Sequence, residues 1–155
     1  MSPAPPSAGE WLEAMEAAAT EVLSQHGGEL PEFEASDPVE PSSAGAYISL
    51  VGPLYSVRLG VVAPPKVLRE LAAIIARDEV AVEDVEDATR ELANVLGGNV
   101  RKFLNARAPE LTLGLPVFST VRPQADRYDI STRQLNVAGL RATLMLVLPK
   151  AASGH

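Results

Sequence analysis

The chain contains no cysteine, only two histidines, and no lysine or arginine before Arg58. Without cysteine there can be no disulfide, zinc–thiolate centre, thiol nucleophile or iron–sulfur cluster, and the composition suits a reducing compartment such as the cytoplasm. His26 closes a helical stretch and His155 is the last residue, so neither stands at metal-ligand spacing from a partner and both read as solvated termini. No Gly-x-x-x-x-Gly-Lys loop and no Gly-x-Ser-x-Gly elbow occurs. The most apolar run, Ala142 to Leu148, is too short to cross a bilayer as a helix. Met1 to Ala8 is rich in Pro and Ser and lacks the basic and apolar regions of a secretory signal, so a cytoplasmic protein with no membrane contact is expected. A basic stripe with interleaved aromatics is missing too, which removes nucleic acid from the expected partners.

What is present is one domain's worth of chain, 155 residues, able to bury roughly two-thirds of its unfolded surface without a metal or crosslink. The formal charge of -7 is unevenly placed. Nine acids and no base precede Arg58, whereas the rest of the chain holds eleven acids against thirteen bases. The acidic part reads as the solvated face of a first helix and its loop, or as a binding arm for a basic partner that deletion of Met1 to Gly45 would remove. Residues 1–45 are expected to form this helix and a Pro-rich loop within the same domain, 46–149 the main body, and 150–155 a polar tail.

Ser7-Ala8-Gly9-Glu10 has capping-box spacing and precedes Trp11, Leu12, Met15, Ala18, Ala19, Val22 and Leu23 at helical intervals, with Gly27-Gly28 as the stop. Glu29 to Gly45, with three prolines, predicts a loop or irregular strand. Tyr47 to Val51 and Tyr55 to Val62, joined through Gly52-Pro53, predict a hairpin. Pro64-Pro65 opens a helix that buries Val67, Leu68, Leu71, Ile74 and Ile75. Leu111 to Thr120 predicts an edge strand interrupted by Pro116, and Thr132 to Val137 with Leu140 to Leu148 a closing pair around Ala138-Gly139. In the loop before that pair, Asp126 and Asp129 read as caps on backbone amides and not as metal ligands. The expected fold is α+β: a mostly antiparallel sheet of about five to six strands with helices packed on one face.

The longest helical pattern runs from about Val82 to Ala106, acidic at its start and basic near its end, as the helix dipole favours. At about 100° per residue, Val85, Ala88, Leu92, Leu96 and Phe103 share the side expected to face the sheet. Asp87, Glu91, Asn94 and Gly98 fall on the opposite side as one line, at spacings of four, three and four. A helix built only for stability would avoid this line, because Asn is a mediocre interior residue and each glycine of Gly97-Gly98 costs about 1 kcal/mol relative to alanine. Gly98 also leaves room for another backbone to approach Asn94. The stripe is therefore read as displayed to a protein partner.

The run Asp87-Ala-Thr-Arg-Glu91-Leu-Ala-Asn94-Val-Leu-Gly-Gly98-Asn-Val-Arg-Lys resembles the signature helix of the CheX/CheC/FliY chemotaxis phosphatases. Their pattern is Asp or Ser, three residues, Glu, two residues, Asn, then a proline after about twenty-two more, and Pro116 falls one residue short of that gap. The order of hairpin, helix and closing strands also follows that fold, so the resemblance covers roughly Ala46 to Leu148. It implies dephosphorylation of the aspartyl phosphate of a CheY-like response-regulator receiver domain, in chemotaxis or other two-component signalling. Asn94 would orient the attacking water, Glu91 would pair with the receiver's lysine, and Asp87 and Gly98 would serve docking. No cofactor of its own is implied, only the Mg²⁺ held by the partner receiver. The resemblance further implies possible homodimers through sheet edges. The alternative is a non-catalytic CheX-like adaptor that binds a receiver or a flagellar-switch protein; only one signature helix is present, whereas some relatives carry two.

Overall fold

The computed structural model describes residues 4–27, 29–35 and 43–150. Helix α1, Ala8–Gly27, begins where the capping box predicts. The Ser7 amide donates to Glu10 Oε1 at 3.0 Å, and the Glu10 amide donates to Ser7 Oγ at 3.2 Å. Its apolar residues are sequestered on more than one stripe: Trp11, Leu12, Ala14, Met15, Ala18, Ala19, Val22 and Leu23 are all buried. A helix buried this widely is wedged between other layers, and α1 touches both other helices and the sheet. Each large side chain so buried contributes about 1.5–3 kcal/mol. The acids of α1 meet bases supplied by later residues: Lys102 Nζ lies 3.0 Å from Glu21 Oε1, and Arg107 Nε lies 3.0 Å from Glu10 Oε2. The first helix is thus a core element and not a free arm.

Strand β1, Glu32–Ala35, follows, and then the hairpin of β2, Ala44–Val51, and β3, Ser56–Ala63. The hairpin turn closes with the Gly52 amide donating to the Tyr55 carbonyl at 2.9 Å. A Cβ on Gly52 would sit 2.4 Å from the Tyr55 ring, so this position admits glycine alone without rearrangement. Helix α2, Pro65–Ala76, has proline in its first turn, where a missing N–H is harmless. Helix α3, Val85–Phe103, is entered through a 3-10 turn at Val82–Asp84. Strands β4, Thr112–Leu113, and β5, Val117–Ser119, come next, followed by the long pair β6, Tyr128–Val137, and β7, Leu140–Pro149. Ala138 and Gly139 take φ of 52° and 77°, the left-handed pair that a two-residue hairpin turn requires.

All strand pairings are antiparallel, in the order β1-β6-β7-β3-β2, with both β4 and β5 on the outer edge of β2. The sheet has seven strands, more than the five or six expected. One addition is β1, whose four residues carry too short an alternation to stand out between prolines. The other arises because Pro116 splits the expected edge strand into β4 and β5. Glu34 fastens β1 to its neighbour, its Oε1 accepting from Gln134 Nε2 at 2.7 Å and from Asn136 Nδ2 at 2.8 Å.

The three helices cover one face of the sheet, where Ile48, Leu50, Leu59, Val61, Leu144 and Leu146 join the core. The alternate residues form a smaller cluster on the other face, Tyr47, Val62, Met145 and Val147, beside which the Arg58 guanidinium lies 4.9 Å from the centre of the Tyr128 ring. Among the described residues no helix is long and apolar enough to cross a membrane. The tail beyond Lys150, His155, the side chain of His26 and residues 36–42 of the Pro-rich loop lie outside the described residues.

Candidate functional site

The inner side of α3 is Val85, Thr89, Leu92, Ala93, Leu96, Gly97 and Val100, all buried. Thr89 satisfies its buried hydroxyl by donating to the Val85 carbonyl at 2.7 Å. Phe103 departs from the expected pattern: it is the last residue of the helix and is 45 % exposed. Ala88 is only half-buried.

Opposite this side the four stripe residues stand where the periodicity places them. Asp87 and Glu91 are exposed, and Asn94 and Gly98 are half-buried at the flank of the helix. Asp87 is engaged by the guanidinium of Arg90 one turn on. No ion pair or side-chain hydrogen bond to Glu91 or Asn94 is formed among the described residues. A carboxylate and a carboxamide, adjacent on one face of a helix locked into the core, are thus left with their hydrogen-bonding capacity unspent. Lys102, four residues beyond Gly98 on the same side, is tied to Glu21 of α1.

The two glycines differ in a way that their adjacency in sequence conceals. A Cβ on Gly97 would lie 2.9 Å from Ile48 Cγ2 and 3.3 Å from Leu113 Cδ2, so glycine there lets α3 settle onto β2 and β4. A Cβ on Gly98 would meet only Leu113 Cδ1, at 3.9 Å, which is ordinary contact. The domain's own packing therefore accounts for Gly97 and leaves Gly98 unexplained.

The direction of α3 over the sheet fixes what borders the stripe. Beyond its C-terminal end Arg107 reaches Glu10, and Trp11 beside Glu10 packs edge-on against Tyr55 at the hairpin tip, ring centres 6.5 Å apart. With Gly97 above Ile48, the turns before it, including Asn94, lie toward the Gly45–Tyr47 end of β2, where β5 pairs. Pro116 stands just before β5 on this edge. Asp126 lies in the turn that leads into β6, whereas Asp129 stands within β6 opposite Leu148 and not in the loop expected from the sequence; no group of three or more potential metal ligands forms among the described residues.

No protein-family model matches the sequence, and neither does any curated protein. Solved structures do match in fold. The CheX chemotaxis protein of Vibrio vulnificus aligns with a TM-score of 0.72 at 15% identity, over 89% of this chain and 98% of that one. A CheC-like superfamily protein from Shewanella sp. PV-4 aligns with a TM-score of 0.70 at 15% identity, over 91% and 98%. CheX from Borrelia burgdorferi, in a complex with CheY, BeF3 and Mg²⁺, aligns with a TM-score of 0.62 at 11% identity, over 92% and 97%. The fold of this chain is that of the CheX- and CheC-like chemotaxis proteins.

Proposed function

We propose that this CheX-like domain accelerates the loss of phosphate from the phosphoaspartate of a response-regulator receiver in two-component signalling, chemotaxis included. The observation that carries the reading is the pairing of Glu91 and Asn94, unengaged by the described residues, on the outer side of a helix whose inner side is locked to the sheet. The similarity to CheX in a structure that also contains CheY supports the choice of partner.

The chemistry needs little from this chain. Water attacks phosphorus in line as the bond to the aspartate oxygen breaks, releasing inorganic phosphate and restoring the receiver's carboxylate. A carboxamide can accept a hydrogen bond from that water while its NH₂ group donates to a phosphoryl oxygen, so Asn94 acts by holding the nucleophile in line rather than by removing its proton. Glu91, one turn earlier, pairs with the receiver's lysine and sets the register of insertion. Asp87, already held by Arg90, helps seat the helix, and Gly98 lets the receiver's backbone come close. The Mg²⁺ of the reaction belongs to the receiver's own site.

The test is phosphate release from phosphorylated receivers encoded by the same genome, with the wild-type domain, Asn94→Ala and Glu91→Ala. The wild type should raise the rate by at least about tenfold. Asn94→Ala should return it to the receiver's intrinsic rate while still binding the receiver charged with beryllofluoride, and Glu91→Ala should weaken both. A wild type that binds the charged receiver without accelerating hydrolysis would make the domain an adaptor. One that does neither would remove the reading.

A further inference from the structure

Between Arg77 and Arg101 the chain carries seven acids, all of them exposed, and a single base, Arg90. Two of those acids are within its reach on α3: Glu86, four residues before it, and Asp87, three before. At about 100° per residue, Glu86 lies about 40° to one side of Arg90 around the helix, whereas Asp87 lies about 60° and Asn94 about 40° to the other. The guanidinium takes Asp87 and is therefore turned onto the stripe rather than away from it. That bond uses Nη2 alone; Nε and Nη1 form none among the described residues. The Arg90 side chain is 35 % exposed and that of Asp87 76 %, so the arginine is the more enclosed of the pair.

We propose, resting on the function proposed above, that Arg90 is a further catalytic residue: its unspent guanidinium nitrogens bind a phosphoryl oxygen of the receiver's phosphoaspartate, and Asp87 aims them. The charge of the helix calls for such a group. Lowering α3 into the receiver's site brings Asp87, Glu91 and the acids of the preceding turn toward a phosphoryl group of the same sign, and Arg90 is the base placed to answer it. A guanidinium suits the task because it is planar, always charged and presents several N–H groups at once to phosphate oxygens. The other two side chains leave this work undone. Glu91 has only acceptors to offer, and the Asn94 carboxamide is neutral. As the bond to the aspartate oxygen breaks, charge is spread over the phosphoryl oxygens, and a cation oriented beforehand stabilises it without reorganisation. A pair serving the helix alone would be as well made with Glu86, acid first at a spacing of four, yet Arg90 bonds to Asp87.

The experiment measures kcat and KM for the phosphorylated receiver, affinity for the receiver with and without beryllofluoride, and Tm, for the wild type, Arg90→Gln, Asp87→Asn and the double variant. Arg90→Gln should lower kcat by about tenfold or more and weaken binding of the charged receiver to a similar degree, as expected when a hydrogen bond to a charged group is lost. Its affinity for the uncharged receiver should stay within about twofold, and its Tm within about 2 °C of wild type, because an exposed pair on a helix adds little stability. Asp87→Asn should move kcat and charged-receiver affinity in the same direction by less, and should change nothing further in the Arg90→Gln background, since it acts through the arginine. A wild type that does not accelerate phosphate loss overturns the phosphatase reading, and the two affinities then decide whether Arg90 reads the phosphoryl group. Equal loss of affinity for both forms of the receiver would set Arg90 against some other group and overturn the inference. So would wild-type kinetics and affinities in Arg90→Gln while the phosphatase remains active. Losses that multiply in the double variant would overturn the part given to Asp87.

Discussion

Replacing Gly97 and Gly98 separately by alanine asks whether the fold and the partner want different things from neighbouring residues. Both lie within α3, where alanine is favoured over glycine by about 0.8–1.0 kcal/mol. At Gly98 nothing opposes that gain, since the new methyl would find only Leu113 Cδ1 at 3.9 Å. Gly98→Ala should therefore stabilise the domain by about 1 kcal/mol, a rise of roughly 2–4 °C in Tm for a chain of this size. At Gly97 the methyl would be 2.9 Å from Ile48 Cγ2, a branched methyl on a buried strand that cannot swing away. Overpacking of this kind costs about 1–3 kcal/mol, so after the propensity gain Gly97→Ala should lose about 1 kcal/mol. Urea unfolding followed by circular dichroism, with equal m-values, would place the two midpoints on opposite sides of the wild type. The same Gly98→Ala protein should lose about tenfold in kcat/KM toward the phosphorylated receiver, because its Cβ occupies the approach to Asn94. A Gly98→Ala variant less stable than wild type refutes the packing analysis, and one that is more stable and fully active refutes the idea that the glycine serves a partner.

The acid limit of stability offers a second check. The Glu10 carboxyl is held below its ordinary value of 4.5, first by the Ser7 amide and also by Arg107 and the Ser7 hydroxyl, against the opposing effect of burial. A depressed folded pKa contributes stability above the unfolded value that disappears as pH falls through the folded one. Urea midpoints of Glu10→Gln should accordingly lie below wild type at pH 7, with the gap closing as pH falls from 4.5 through the depressed folded value, whereas a gap that does not depend on pH would deny the carboxylate this role. Trp11, 1 % exposed and packed on Tyr55, anchors α1: Trp11→Ala should cost about 3–5 kcal/mol by the same unfolding assay, and deletion of Met1 to Gly45 should leave no cooperative transition at all.

The sequence made the helices legible because their signals are local. Ser7 and Glu10 close the capping box they spell, Pro65 opens α2, and the order of charge along α3 agrees with its dipole. Glu91 and Asn94 emerged on the outer side because period alone decides that once Leu92, Leu96 and Val100 are buried. Strand β1 was obscured because Glu32-Phe33-Glu34-Ala35 is made a strand by a partner a hundred residues away, through Glu34 and Gln134. Phe103 misled because a helical wheel assigns the last residue of a helix the burial of the turns before it. Gly97 and Gly98 cannot be told apart without knowing where Ile48 and Leu113 stand, whereas the edge position that exposes Leu115 and Val117 was already signalled by Pro116.

The position of β1 also dictates a schedule for synthesis. Among the described residues its one strand partner, β6, ends at Val137, and β7, which fills the middle of the sheet between β6 and β3, comes last in the chain. As the chain leaves the ribosome, α1 can pack on α2 and α3 once Phe103 has emerged, but the sheet beneath the three helices is completed only when β7 follows. Until then the helical layer stands over an unfinished sheet, and shielding by a chaperone near the exit tunnel should improve the yield.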